Sequence, residues 1–329
     1  MKKLVLTGVL FLAFFAGFAQ VPAVAMLDHK GTLTPYYGPA ALQKAYAAAD
    51  TGDIITLSPG LFYSQNIAKK KLTIRGAGMF QDTLAGTGNT HIYGSFQLNA
   101  DSVTLEGLYI PDGIDHGKVI TYGGLLKKCY FGTLYRDYSY YYTYNLRILE
   151  CIINGNCYTD NMFNCRFENS YIASIYNHNE NGSNVVYNCV AGLYSADCYR
   201  IIVQNSILFC YRGYSDGYYS SNDYCIGINT HGSHVYYAAF PVTSHLYNIE
   251  NYAAVFKDFR GSYTYSLTGG TSLALQDSIV NQIKGSDGTQ LGIFGGTYPF
   301  DPSMGNRKVV VPGKTKMDGK LEVEIKKAE

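Results

Sequence analysis

A short polar–small–apolar motif recurs through the middle of this 329-residue chain and limits what it can become. It reads Lys128-Cys129-Tyr130-Phe131, Glu150-Cys151-Ile152-Ile153, Asn164-Cys165-Arg166-Phe167, Asn188-Cys189-Val190 and Asn205-Ser206-Ile207-Leu208. From Cys129 through Cys151, Cys165 and Cys189 to Ser206 the intervals are 22, 14, 24 and 17 residues, the length of one coil of a β-solenoid with insertions. Strand-like segments stand between the corners: Ile54–Leu57, Leu72–Ile74, Ser102–Leu105, Leu146–Leu149, Asn184–Tyr187 and Arg200–Val203. A coil of this kind cannot bury its inner face alone, so coils stack and equivalent positions form ladders. Cysteine and serine are small enough for a tight inner corner, and a free thiol behaves as a small buried hydrophobe. Asparagine tolerates left-handed turns and can bond a neighbouring backbone. Cys129, Cys151, Cys165 and Cys189 therefore read as an internal stack of free thiols, with disulfides as the alternative that an oxidising compartment would allow. Cys157, Cys198, Cys210 and Cys225 fall off the pattern, and a bridge is expected among these first.

Composition agrees with an all-β chain. Tyr (32) and Gly (35) are abundant, Trp is absent, and charged residues are only 16% of the total. A net charge of +1 with no basic patch gives no sign of a nucleic-acid partner. Gly76-Ala77-Gly78 lacks the third glycine and the strand–helix context of a nucleotide fingerprint, so no nucleotide is expected.

The two ends differ from the middle. Lys2 and Lys3 precede an apolar run from Leu4 to Phe15, and Gly17-Phe18-Ala19 offers small residues for a signal peptidase. Residues 1–19 thus read as a signal peptide, Gln20 becomes the first mature residue, and no transmembrane segment is expected after cleavage. The destination would be the periplasm, the outer-membrane surface or the medium. Residues 39–49 read as one helix, with Pro39 at its first position and Leu42, Ala45, Tyr46 and Ala49 along one face. Residues 307–329 read as a two-stranded extension in which Asp318-Gly319 turns between alternating Val309, Val311 and Leu321, Val323, Ile325.

The opening segment, a helix followed by Gly52-Asp53, Ile55, Leu57, Pro59-Gly60, Phe62, Leu72, Ile74, Gly76 and Gly78, resembles the first coils of secreted Gram-negative proteins with the pectate-lyase-like fold. The stretch from Val255-Phe256 to Gly292-Ile293-Phe294-Gly295-Gly296 is similar to the C-terminal region of the same group. The resemblance covers about residues 36–300. It implies a right-handed parallel β-helix, and the chain as a whole then reads as that β-helix with an N-terminal capping helix and a C-terminal β-hairpin appendage. Enzymes of that group include lyases and hydrolases of acidic polysaccharides. Their Trp-Ile-Asp-His, Arg-x-Pro-x-x-Arg, Asn-Thr-Asp, Gly-His-Gly and Arg-Ile-Lys runs are not found in this sequence, so no catalytic residue is assigned. Asn229-Thr230-His231-Gly232-Ser233-His234 begins like one of them but lacks the acid.

Two tyrosine-rich insertions carry the functional expectation. Tyrosine faces stack on sugar rings, its hydroxyl bonds to sugar hydroxyls, and surface insertions are common carriers of function. In the first insertion Tyr135, Arg136, Asp137, Tyr138, Tyr140 and Tyr142 are candidate glycan-binding residues, and in the second Tyr214, Asp216 and Tyr218. The competing reading packs these tyrosines between coils. No cofactor or metal is assigned. Asp112, Asp115, His116 and Lys118 could hold calcium or supply a base, but Pro111-Asp112-Gly113 reads more simply as a turn. The expectation is an exported or cell-surface β-helix, non-catalytic, binding a polysaccharide or surface glycan or serving in adhesion. The alternative is a divergent polysaccharide lyase or glycoside hydrolase of the same fold.

Overall fold

The corner motif is a backbone geometry first. In the computed structural model Lys128, Glu150, Asn169, Asn188, Asn205 and Tyr224 all take the left-handed conformation, with φ between 48° and 53°. Each directly follows a strand of the first sheet, and a strand of the second begins one or two residues later. One left-handed residue therefore turns the chain from face to face without a loop. The structure describes residues 23–68, 70–81, 88–135, 141–177, 183–198, 201–210, 221–229, 246–249, 251–259, 273–301, 313–315 and 321–323.

Repetition of this turn builds a nearly all-β parallel solenoid of about seven turns. The first sheet has 11 strands, running from Val24–His29 and Thr32–Tyr37 through Ile54–Leu57, Thr73–Arg75, Thr104–Glu106 and onward to Ser221–Asp223. The second has 10, from Gly60–Tyr63 to Leu246–Ile249. Beyond the second sheet each coil adds short strands in two separate patches: Asn66–Ala68, Phe96–Asn99 and Ile114–His116 form one, and Thr121–Tyr122, Thr143–Tyr144 and Met162–Phe163 form the other, the third face. Between coils the pairing is parallel, in unbroken register along the first sheet and with register shifts after Ile153 and Ile172 in the second. The strands Val24–His29 and Thr32–Tyr37 pair antiparallel with each other, the former also with Ile54–Leu57, and form the N-terminal end of the first sheet. The helix Ala41–Ala48 lies beside them, with Ala41, Leu42 and Ala45 buried in the core. Lys70 Nζ donates to the carbonyls of Tyr46 and Ala49 at 2.8 and 2.7 Å, which satisfies the helix's last turn.

Period-2 alternation within each strand fills the interior. One ladder of the first sheet stacks Ile55, Ile74, Leu105, Leu126, Ile148, Phe167, Val186 and Val203, all fully buried or nearly so. The second sheet contributes Phe62, Ile92, Ile110, Phe131, Ile153 and Ile172. Each such side chain stabilises the fold by roughly 1.5–3 kcal/mol relative to exposure, so the ladders dominate stability. Close stacking demands glycine at some edges. A Cβ on Gly132 would stand 1.8 Å from the Pro111 carbonyl oxygen of the coil above.

The cysteines occupy two corners, a correction to the single stack expected. Register places Cys129, Cys151, Ser170, Cys189, Ser206 and Cys225 in one column, since the residues after them pair coil to coil. Cys165 belongs to the opposite corner, with Leu72, Val103, Leu146, Asn184 and Ile201, which precede the paired first-sheet residues. Both corners use a left-handed residue before a small one, Asn164 having φ 54°, and this likeness merges them in sequence. Cys225, set aside from the pattern, completes the first column. Cys157, also set aside, lies between Leu134 and Ile175, buried towards the end of the second-sheet strand Ile152–Tyr158. Among the described residues Cys129, Cys151, Cys157, Cys165, Cys189 and Cys225 are buried and form no disulfide. The side chains of Cys198 and Cys210 lie outside the described residues.

The C-terminal part covers the outside of the second sheet. Helices Tyr252–Val255 and Asp277–Gln282 and the segment through residue 301 bring Phe256, Phe259, Leu275, Ile279 and Ile293 over Tyr171, Val190, Ile207 and Phe209. The left-handed asparagines anchor this cover. Asn169 Nδ2 donates to the Ile293 and Gly295 carbonyls at 3.0 and 2.7 Å, and Asn205 Oδ1 accepts from the Ser286 N–H at 2.9 Å. Further on, Gly313–Thr315 pairs antiparallel with Leu321–Val323. Val309, Val311, Ile325 and the expected Asp318-Gly319 turn lie outside the described residues.

Candidate functional site

On the third face the strands are two residues long, and each carries one residue in and one out. Thr121, Thr143 and Met162 point inward and are buried, and the Thr121 and Thr143 hydroxyls bond at 3.1 Å. Tyr122, Tyr144 and Phe163 point outward and stack coil upon coil. Tyr122 and Tyr144 lie 5.0 Å apart at 12°, and Tyr144 and Phe163 5.1 Å apart at 23°. Tyr142 meets Phe163 edge-on at 5.3 Å. Tyr141, Val119 and Ile120 are exposed on the same coils.

Stacked rings cover one another's faces, so the interior of such a ladder offers edges and hydroxyls to a ligand. Its end differs. Tyr122 is the first ring of the stack, and its side chain is 51% exposed. A ring-shaped ligand laid on Tyr122 would extend the ladder by one step. Asp101 stands beside it, its carboxylate accepting the Tyr122 N–H at 2.7 Å.

The predicted glycan residues divide into three groups. Tyr142 joins this aromatic face. Tyr135 does not: it is 1% exposed, and its hydroxyl accepts from Thr143 Oγ1 at 3.4 Å inside the core, where burial drives its ionisation far above the normal range. It turns inward because φ is 58° at this position, which takes the chain off the strand before the insertion begins. Arg136, Asp137, Tyr138, Tyr140, Tyr214, Asp216 and Tyr218 lie outside the described residues, as do His231 and His234. Tyr122 and Phe163 lie outside both tyrosine segments, yet sequence carries a signal for them. Thr121-Tyr122-Gly123, Thr143-Tyr144-Asn145 and Met162-Phe163-Asn164 each set an aromatic just before a residue of positive φ.

The acidic candidates serve turns between coils. Asp112 Oδ2 accepts the Gly94 N–H at 2.9 Å, and Asp115 Oδ2 accepts from Ser95 Oγ at 2.5 Å. Lys118 bonds through its backbone to Asn99. Nearby His91 is held below its ordinary value by burial, against the opposing pull of Asp112. Among the described residues no group of three or more His, Cys, Asp or Glu is placed to hold a metal ion.

The outer first sheet is charged. Glu168 lies between Arg147 Nη2 at 2.8 Å and Arg166 Nε at 2.6 Å. Burial opposes its ionisation, but bonds from the two arginines hold its carboxyl below the usual carboxylate range. Arg75, Glu106 and Lys127 repeat the arrangement three coils earlier. The corner thiols donate to carbonyls two residues back, Cys189 to Tyr187 at 3.2 Å and Cys225 to Asp223 at 3.2 Å. Burial pushes Cys165, Cys189 and Cys225 up to about 12, so they are inert structural groups.

No protein-family model, curated protein or solved structure matches this chain. Fold and site chemistry are therefore what a functional reading rests on. No helix among the described residues is long and apolar enough to cross a membrane.

Proposed function

We propose that this chain is an exported or cell-surface β-helix protein that binds a glycan without transforming it. The observation that carries the reading is the outward stack of Tyr122, Tyr144 and Phe163, which ends in a half-exposed ring at the foot of the first tyrosine insertion. An aromatic face takes the C–H side of a pyranose, and the neighbouring Asp101 carboxylate and Tyr142 suit its hydroxyls. Export rests on the signal-like residues 1–19.

The test is binding of the purified protein to neutral and acidic polysaccharides by affinity electrophoresis, alongside assays for unsaturated products and new reducing ends. Binding that is lost in Tyr122→Ala, with no product formed, supports the reading. Product formation overturns the non-catalytic part. Binding that survives Tyr122→Ala removes the site.

A further inference from the structure

The second sheet carries the same outward column along its length, but the chain covers only part of it. Tyr130, Ile152, Tyr171, Val190 and Ile207 are buried. In the earliest coils the same column continues through Tyr109 and His91 to Leu61, and here it reaches solvent. Beside it Tyr63 and Tyr93 pair across coils at the sheet's edge, 45% and 62% exposed. Their rings meet edge-on, 6.4 Å apart at 65°, so neither hides the other's broad face as the third-face stack does.

The chain turns at once into a polar rim. Asp112 and Asp115 bond to Gly94 and Ser95, the two residues after Tyr93. One step further Asn66 Nδ2 donates to Gln97 Oε1 at 3.2 Å, and Asn99 Nδ2 donates to Asn66 Oδ1 at 2.7 Å. The exposed rings therefore lead directly along the chain into residues bonded to carboxylates and into an amide cluster.

We infer that the Tyr63–Tyr93 corner is a second carbohydrate-binding site, specific for an uncharged pyranose chain. The aromatic faces receive the apolar side of the sugar, and the carboxylate and amide rim accepts and donates to its hydroxyls. Charge decides the class, because the charged side chains bonded into this corner are Asp112 and Asp115, which repel a polyanion. The inference shares its ligand class with the proposed function but stands on a different face, so each can fail without the other.

The experiment is isothermal titration of the full-length protein with uncharged hexasaccharides (cello-, xylo-, manno- and malto-) and with hexagalacturonate. Wild type, Tyr93→Ala and Tyr122→Ala are compared. We expect at least one uncharged hexasaccharide to bind, with affinity falling about tenfold or more in Tyr93→Ala and a Tyr93-dependent component persisting in Tyr122→Ala. If Tyr93→Ala melts below wild type, Tyr93→Leu keeps the bulk, removes the ring face and replaces it. The inference is overturned if no uncharged hexasaccharide binds, if hexagalacturonate alone binds, or if binding is indifferent to Tyr93. Loss in Tyr122→Ala alone would leave the third-face reading standing and end this one.

Discussion

A corner thiol in this solenoid is a packing residue whose chemistry is suppressed by where it sits. Burial moves Cys165, Cys189 and Cys225 from an ordinary 9.0 to about 12, so these three thiols should not react with thiol reagents at pH 8 in the native protein. Rapid labelling of Cys189 or Cys225 without denaturant would contradict their placement. The same shift fixes a pH dependence. Below the unfolded value both states keep the proton and nothing changes. Above it the unfolded chain loses protons that the fold retains, so stability falls as pH rises from about 9 towards 12. The slope is about 1.4 kcal/mol per pH unit for each such thiol, and replacing Cys189 and Cys225 by alanine should flatten it in alkaline melts. Tyr135→Phe removes one hydroxyl from the core. It should cost about 1 kcal/mol and leave glycan binding untouched, as a core residue would. Gly132→Ala should be far worse, losing several kcal/mol in a thermal melt, because its Cβ would strike the Pro111 carbonyl.

At the scale of elements, the left-handed corner was legible and its multiplicity was not. The motif led to the small-residue column, but two corners of each coil use the same geometry, so Cys165 was grouped with the wrong one. Regular spacing separates them. Cys129, Cys151, Ser170, Cys189, Ser206 and Cys225 are 22, 19, 19, 17 and 19 residues apart, whereas inclusion of Cys165 produces intervals of 14 and 24. First-sheet strands were readable because their inner residues alternate strictly. The two-residue strands bearing Tyr122, Tyr144 and Phe163 were not, because period 2 cannot show itself in one repeat. Nor could sequence tell that Asn169 and Asn205 reach across to residues 286–295, a contact set by the path of the chain end. Asn169→Ala should cost about 1–3 kcal/mol by leaving the Ile293 and Gly295 carbonyls without that donor. Hydrogen exchange should then quicken over residues 285–301 while the inner ladders stay protected, and uniform quickening would show that the cover is not a separate unit.

For the molecule as a whole, the solenoid is finished from two directions. Neighbouring coils satisfy each other locally, so most of the interior can assemble by stacking from any starting point. The outer face of the second sheet cannot, since the groups that cover it come from the far end of the chain, with Asn169 reaching residues 124 and 126 positions away. Removing everything after Ile249 should leave a soluble coil ladder only if that face tolerates water. We expect aggregation instead, measurable by light scattering, because Ile152, Tyr171, Val190 and Ile207 would form a continuous bare strip. Time enters through the same geometry. Coils stacked on their neighbours can close before the distant cover docks, so the strip stands uncovered in between. A chain built this way is most vulnerable late in its own folding, when nearly all of its coils are already in place.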